Sequence, residues 1–76
     1  MAEWVDVLVR NEHYAAADRL VLKYLSEYFP SRVLSVGEEG NGKRLFDVPT
    51  GAVDQLREHG IPHETRPRDP RKPLPS

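Results

Sequence analysis

The stretch of this chain closest to a known chemical motif is VGEEGNGKR, Val36 to Arg44. It contains G-E-E-G-N-G-K, which meets the phosphate-binding pattern G-x-x-x-x-G-K-[ST] until its last place, where Arg44 stands instead of a hydroxyl residue. That hydroxyl would ligate Mg²⁺. The loop would also need a strand before it and a helix after it, so that backbone amides and the helix N-terminus cradle the phosphates. Here RLFDV follows and alternates like a strand, and Glu38 and Glu39 would repel a polyphosphate. The stretch therefore reads as a turn, and no nucleotide or other cofactor is expected.

The remaining reactive residues are scattered. His59 and His63 form H-x-x-x-H with Glu58 and Glu64 beside them, a spacing that holds zinc on a continuous helix. Gly60 and Pro62 interrupt that helix, so no metal site is expected, and His59 reads as a residue of a last helical turn. His13 reads as an exposed polar residue. Ser26, Ser31, Ser35 and Ser76 have no elbow or triad context. Asp6 and Asp47 could share an open sheet face as acid and base, or simply keep that face wetted. There is no cysteine, which excludes a disulfide, a thiolate metal site and a Cys nucleophile. The chain is expected not to be an enzyme.

These residues need a scaffold, and 76 residues allow one domain with a thin core. EWVDVLVR alternates and predicts a strand with Val5, Val7 and Val9 on one face. Asn11 is the expected N-cap of a helix that presents Tyr14, Ala17, Leu20, Val21, Tyr24, Leu25 and Tyr28 on one side and stops before Pro30. Two apolar runs around Gly40-Asn41-Gly42 predict a hairpin. A three-residue loop there, with Gly42 in the left-handed conformation, pairs Val36 with Phe46, Leu34 with Val48, Glu38 with Arg44 and Glu39 with Lys43. Thr50 is the next expected N-cap, Ala52, Val53 and Leu56 face inward, and Gly60 with Ile61 closes the helix in a Schellman-type end. IPHETR predicts a short last strand, at an edge because of Pro62.

The order is β-α-β-β-α-β. It predicts an α+β domain of the ferredoxin-like, split βαβ kind: a four-stranded antiparallel sheet with two helices on one face. Residues 1–66 form the domain. Residues 67–76, Pro-rich and basic, are expected to be a disordered tail. Its P-R-D-P-R-K run fits a loose polyproline ligand pattern, a match that short sequences reach by chance.

Charge and exposure then suggest a role. Residues 1–65 carry seven Lys/Arg against eleven Asp/Glu, whereas Arg66, Arg68, Arg71 and Lys72 outnumber Asp69 in the tail. An acidic body opposes nucleic-acid binding. GKRLFDV on the third strand begins like the RNP1 pattern of RNA-binding sheets, but the register above turns Phe46 into the core. The open sheet face is expected to carry Trp4, Leu8, Val33 and Leu45, an apolar patch that a partner or a second copy would cover. Lys43, Arg44, Arg66, Arg68, Arg71 and Lys72 are secondary contacts. The sequence thus predicts a small non-catalytic interaction or regulatory module, with weak RNA or single-stranded nucleic-acid binding as the alternative. No signal peptide or membrane span is read, and the lack of cysteine suits the cytoplasm.

Overall fold

The computed structural model describes residues 3–67. It is an α+β domain with the element order β1 (Trp4–Arg10), α1 (Asn11–Tyr28), β2 (Ser35–Glu39), β3 (Gly42–Pro49), α2 (Thr50–Glu58) and β4 (Glu64–Arg66). The strands form one four-stranded sheet in the order β2-β3-β1-β4, and every neighbouring pair is antiparallel. The expected disordered tail lies outside the described residues, except for Pro67.

Both helices contribute to a single core against one face of the sheet. Ala17, Val21 and Leu25 of α1 and Ala52, Val53 and Leu56 of α2 meet Val7 and Val9 of β1 and Leu45 and Val48 of β3. The periodicity of α1 delivers this face with one exception: Tyr28, expected inside, is 61% exposed. Both helices begin on backbone alone. Arg10 and Pro49 occupy the cap positions with extended geometry, and neither Asn11 nor Thr50 caps by its side chain. The end of α2 follows expectation. Gly60, at φ +68°, donates its N–H to the Arg57 carbonyl, Ile61 donates to that of Leu56, and Ile61 packs against the core.

The hairpin departs from expectation by one residue. Glu39 pairs with Gly42, Glu38 with Lys43, Gly37 with Arg44, Val36 with Leu45 and Ser35 with Phe46. The loop is therefore the two residues Gly40-Asn41, with the left-handed conformation at Gly40 (φ +61°) rather than Gly42. Glycine at the first position of a two-residue loop suits the primed turns that match strand twist. Gly42 is small for another reason: a Cβ there would stand 2.4 Å from the Val9 carbonyl oxygen on β1.

A bulge explains why simple alternation misleads on β3. Trp4 and Val5 pair with Pro49 and Val48, but Val7 pairs with Leu45, so Phe46 and Asp47 together oppose Asp6. Asp47 takes φ +54° at this point, a region that Asp tolerates better than most residues. The extra residue puts Leu45 and Val48 on the same, core-facing side. Leu45 is fully buried, and Phe46 turns to the opposite face, the reverse of the expected arrangement. Val36, expected in the core, is 38% exposed, because β2 lies at the outer margin of the sheet.

Candidate functional site: the open sheet face and the β2 margin

The open face is not the apolar patch read from the sequence. Leu45 left it for the core, as its register with Val36 and Val7 requires. Trp4 is half-buried at the start of β1, its ring edge-on to Phe29 with centroids 5.0 Å apart and the Arg32 guanidinium 4.2 Å from its own centroid. Val33, 66% exposed, lies in the segment before β2. Leu8 remains half-buried near the middle of the sheet. The structure thus does not bring Trp4, Leu8, Val33 and Leu45 together.

A charged network occupies the face instead. Asp6, expected to be exposed, is completely buried. Its Oδ2 accepts from Arg44 Nε at 2.8 Å, and its Oδ1 accepts the backbone N–H of Asp47 at 3.1 Å. The second bond satisfies an amide freed by the bulge, so this carboxylate supports the irregularity that places Leu45. Arg44 extends further: Nη1 donates to Glu39 at 3.3 Å and Nη2 to the Pro67 carbonyl at 3.4 Å. One guanidinium therefore touches β1, β2 and the chain beyond β4. The hydrogen bond that Arg44 donates to Asp6, with Glu39 adding, holds the Arg44 pKa above its already high ordinary value. Asp47 is also buried. Arg66, one of the expected secondary contacts, bonds Glu64 at 3.0 Å, while Arg68, Arg71 and Lys72 lie outside the described residues.

The cross-strand charges pair differently from the expectation, as the register demands. Lys43 bonds Glu38 at 2.8 Å and Arg44 reaches Glu39 diagonally. Lys43 holds the Glu38 carboxyl below its ordinary range, chiefly by that hydrogen bond. On the helix side of the same hairpin Tyr14 bonds Asp18 at 3.3 Å. Burial, assisted by Asp18, raises the Tyr14 pKa.

A shallow groove of about 320 Å³ opens at the hairpin end, over Leu8 and Pro62. Its charged lining is engaged within the fold: Glu39 with Arg44, Glu64 with Arg66 and Arg10 with Glu12. The Nδ1–H of His63 donates to the Ile61 carbonyl at 2.8 Å, and that of His59 to the Gln55 carbonyl at 3.0 Å. Each ring is thus committed to its own local backbone. Among the described residues no group of three or more His, Cys, Asp or Glu is placed to hold a metal ion. No helix among them is long and apolar enough to cross a membrane.

The exposed apolar residues collect elsewhere. Of the large hydrophobics on the surface, Val33 and Val36 lie in and just before β2. Leu22, also exposed, sits about 200° around α1 from Leu20. Leu20 and Tyr24 line a groove against Gln55 and His59 of the α2 segment, so Leu22 belongs to the flank away from α2. β2 is itself an edge strand, with no strand beyond it among the described residues. Sequence reading placed Val33 at the surface and predicted the strand β2, but it put Val36 in the core. The signal was available in β2 itself: SVGEE holds a single apolar residue, too few for a strand buried on either face. No protein-family model matches the chain, and neither a curated protein nor a solved structure matches it.

Proposed function

We propose that this chain is a small, non-catalytic, cytoplasmic interaction module that binds a protein partner through the β2 side of its sheet. The observation that carries this reading is the pairing of exposed Val33 and Val36 with an open strand edge. Edge strands display unpaired N–H and C=O groups that another chain can extend, with side-chain contacts adding specificity. The open face is a poorer candidate, because its own ion pairs fill it. We also assign the fold to the ferredoxin-like, split βαβ class. In support, the order read from the other edge is β4-β1-β3-β2, with α1 joining β1 to β2 past β3 and α2 joining β3 to β4 past β1.

The test is capture from a host extract with the full chain and with Val36→Lys. Loss of a specific partner in the variant, with an unchanged circular dichroism spectrum, supports the reading. An identical set of captured proteins would sink it.

A second reading, single-stranded nucleic-acid binding, draws support from one observation. Phe46 lies on the open face with the Arg44 guanidinium 5.7 Å from its ring centroid, the pair of groups on which a base could stack. The acidic residues around them, Asp6, Glu39 and Glu64, argue against it. Titration with labelled oligonucleotides across a salt series separates the two readings. Binding that weakens steeply with salt and is lost in Phe46→Ala would favour the second.

A further inference from the structure

We propose that the basic, Pro-rich segment beyond Pro67 is an intramolecular ligand of this chain, lying across the open sheet face as a polyproline II strap over Phe46. This goes beyond the β2-edge reading and does not depend on it. Three observations meet at this place. The first is where the described chain leaves the sheet. The Pro67 carbonyl accepts from Arg44 Nη2 at 3.4 Å, and Arg44 stands on the open face, opposite Gly37 on one side and Leu8 on the other. The segment that follows therefore starts against this face.

The second observation is charge. Both helices pack on the other face, yet Asp6 is completely buried, and Asp47, beside it at the bulge, is 4% exposed. Arg44 answers both Asp6 and Glu39, two carboxylates on one guanidinium. This part of the face is therefore acidic. The segment brings Arg68, Arg71 and Lys72 against Asp69, the complementary sign. Its composition keeps it from folding alone, but not from docking on a preformed surface. The third observation is period. Polyproline II has three residues per turn. On that period Pro67, Pro70 and Pro73 share one edge, Arg68 and Arg71 a second, and Lys72 falls on the third. Such helices dock with their prolines on aromatic surfaces. The aromatic surface here is the Phe46 ring, which leans over Gly37, 3.0 Å from where a Cβ there would stand. In the docked strap the Pro edge meets this ring, the Arg edge meets the carboxylates, and Lys72 points to solvent. The reach suffices: the three inter-strand steps from β4 to β2 span about 14 Å, and the run from Pro67 to Pro73 advances about 19 Å.

In this position the strap occupies the surface on which a base could stack, so the open face stays closed to other ligands until the tail is displaced. The test is NMR on the full chain. Nuclear Overhauser contacts from Pro70 or Pro73 to the Phe46 ring are expected. Arg71→Glu should weaken these contacts roughly fivefold, whereas Lys72→Glu, the same change of charge on the outward edge, should weaken them less than about twofold. Both positions lie beyond β4, so the contacts between β1 and β4 report in each variant that the domain is intact. A wild-type chain with no contact between the tail and Phe46 would overturn the strap, as would equal weakening by the two substitutions. Capture of a partner through the β2 edge, read with Val36→Lys, is a separate measurement and stands or falls on its own.

Discussion

Two carboxylate–cation pairs of equal length, 2.8 Å, lie one strand apart in this sheet: Asp6–Arg44 between β1 and β3, and Glu38–Lys43 between β2 and β3. The first joins a fully buried carboxylate to a guanidinium with 17% of its side chain exposed; the second has Glu38 84% exposed. Distance does not distinguish them, but their surroundings do. Water solvates Glu38 whether or not Lys43 is present, so the pair adds little. Asp6 is shut off from water, so removing its partners would leave buried carboxylate oxygens without hydrogen bonds. The centre of the sheet therefore depends on its polar contacts, whereas the β2 margin tolerates change and remains available for contact with another molecule.

The largest effect should come from breaking the central pair on one side. Asp6→Ala removes the acceptor of both Arg44 and the Asp47 amide, and should cost about 3–5 kcal/mol in urea unfolding at neutral pH. Leu45→Ala, in the same region but apolar, should cost about 2–5 kcal/mol through lost burial and the cavity left behind. If Asp6→Ala proves no worse than a typical surface substitution, the contrast between centre and margin fails. Next in size is Gly42→Ala. Its Cβ would press on the Val9 carbonyl, and since both sides are backbone the strands must separate, at a cost of about 1–3 kcal/mol. A normal urea midpoint for this variant would mean that the close approach of β1 and β3 relaxes freely.

The same contrast explains what the sequence revealed. Elements were legible because each carried its own local signal: alternating valines in β1, the 3.6-residue stripe of α1, Pro30 as a stop, and Gly60-Ile61 as a helix end. The registers of β3 with β1 and with β2 were not, because they depend on two features that a period of two does not encode. One is the bulge at Phe46-Asp47, which sets Leu45 and Val48 on one face although they are three positions apart. The other is the choice among overlapping turn dipeptides in E-G-N-G, where Gly40 rather than Gly42 takes the positive φ. A buried Asp6 was also invisible locally, since an aspartate between valines reads as a solvated position. Its acceptors' partners, Arg44 and the Asp47 amide, lie 38 and 41 residues away. The site assignment inherited this error: the shifted register moved Leu45 from the open face into the core and turned Phe46 the other way, while Val36 is exposed because β2 is an edge strand.

At the margin the expected sign of coupling reverses, with association changing and stability holding. Val36→Lys should shift the urea midpoint by no more than about 0.5 kcal/mol in stability, as surface substitutions do. It should also remove the partner that the wild-type chain captures from host extract. A large loss of stability would instead mean that Val36 belongs functionally to the core, and the margin would no longer be distinct.

The smallest effect should be the titration of Glu38. Lys43 lowers its folded pKa below the ordinary glutamate value, while in the unfolded chain that value returns. The favourable contribution is therefore present above the ordinary glutamate range and is lost as pH falls through the lowered folded value. Carboxyl NMR should place the Glu38 inflection below that of a free glutamate, and Lys43→Met should move it back up. Because Glu38 is exposed, the shift should be visible in the spectrum with no resolvable change in urea midpoint across the same pH interval. A titration unmoved by Lys43→Met would show that the 2.8 Å contact is not held in solution, leaving the Glu38 carboxylate on the β2 margin unneutralised.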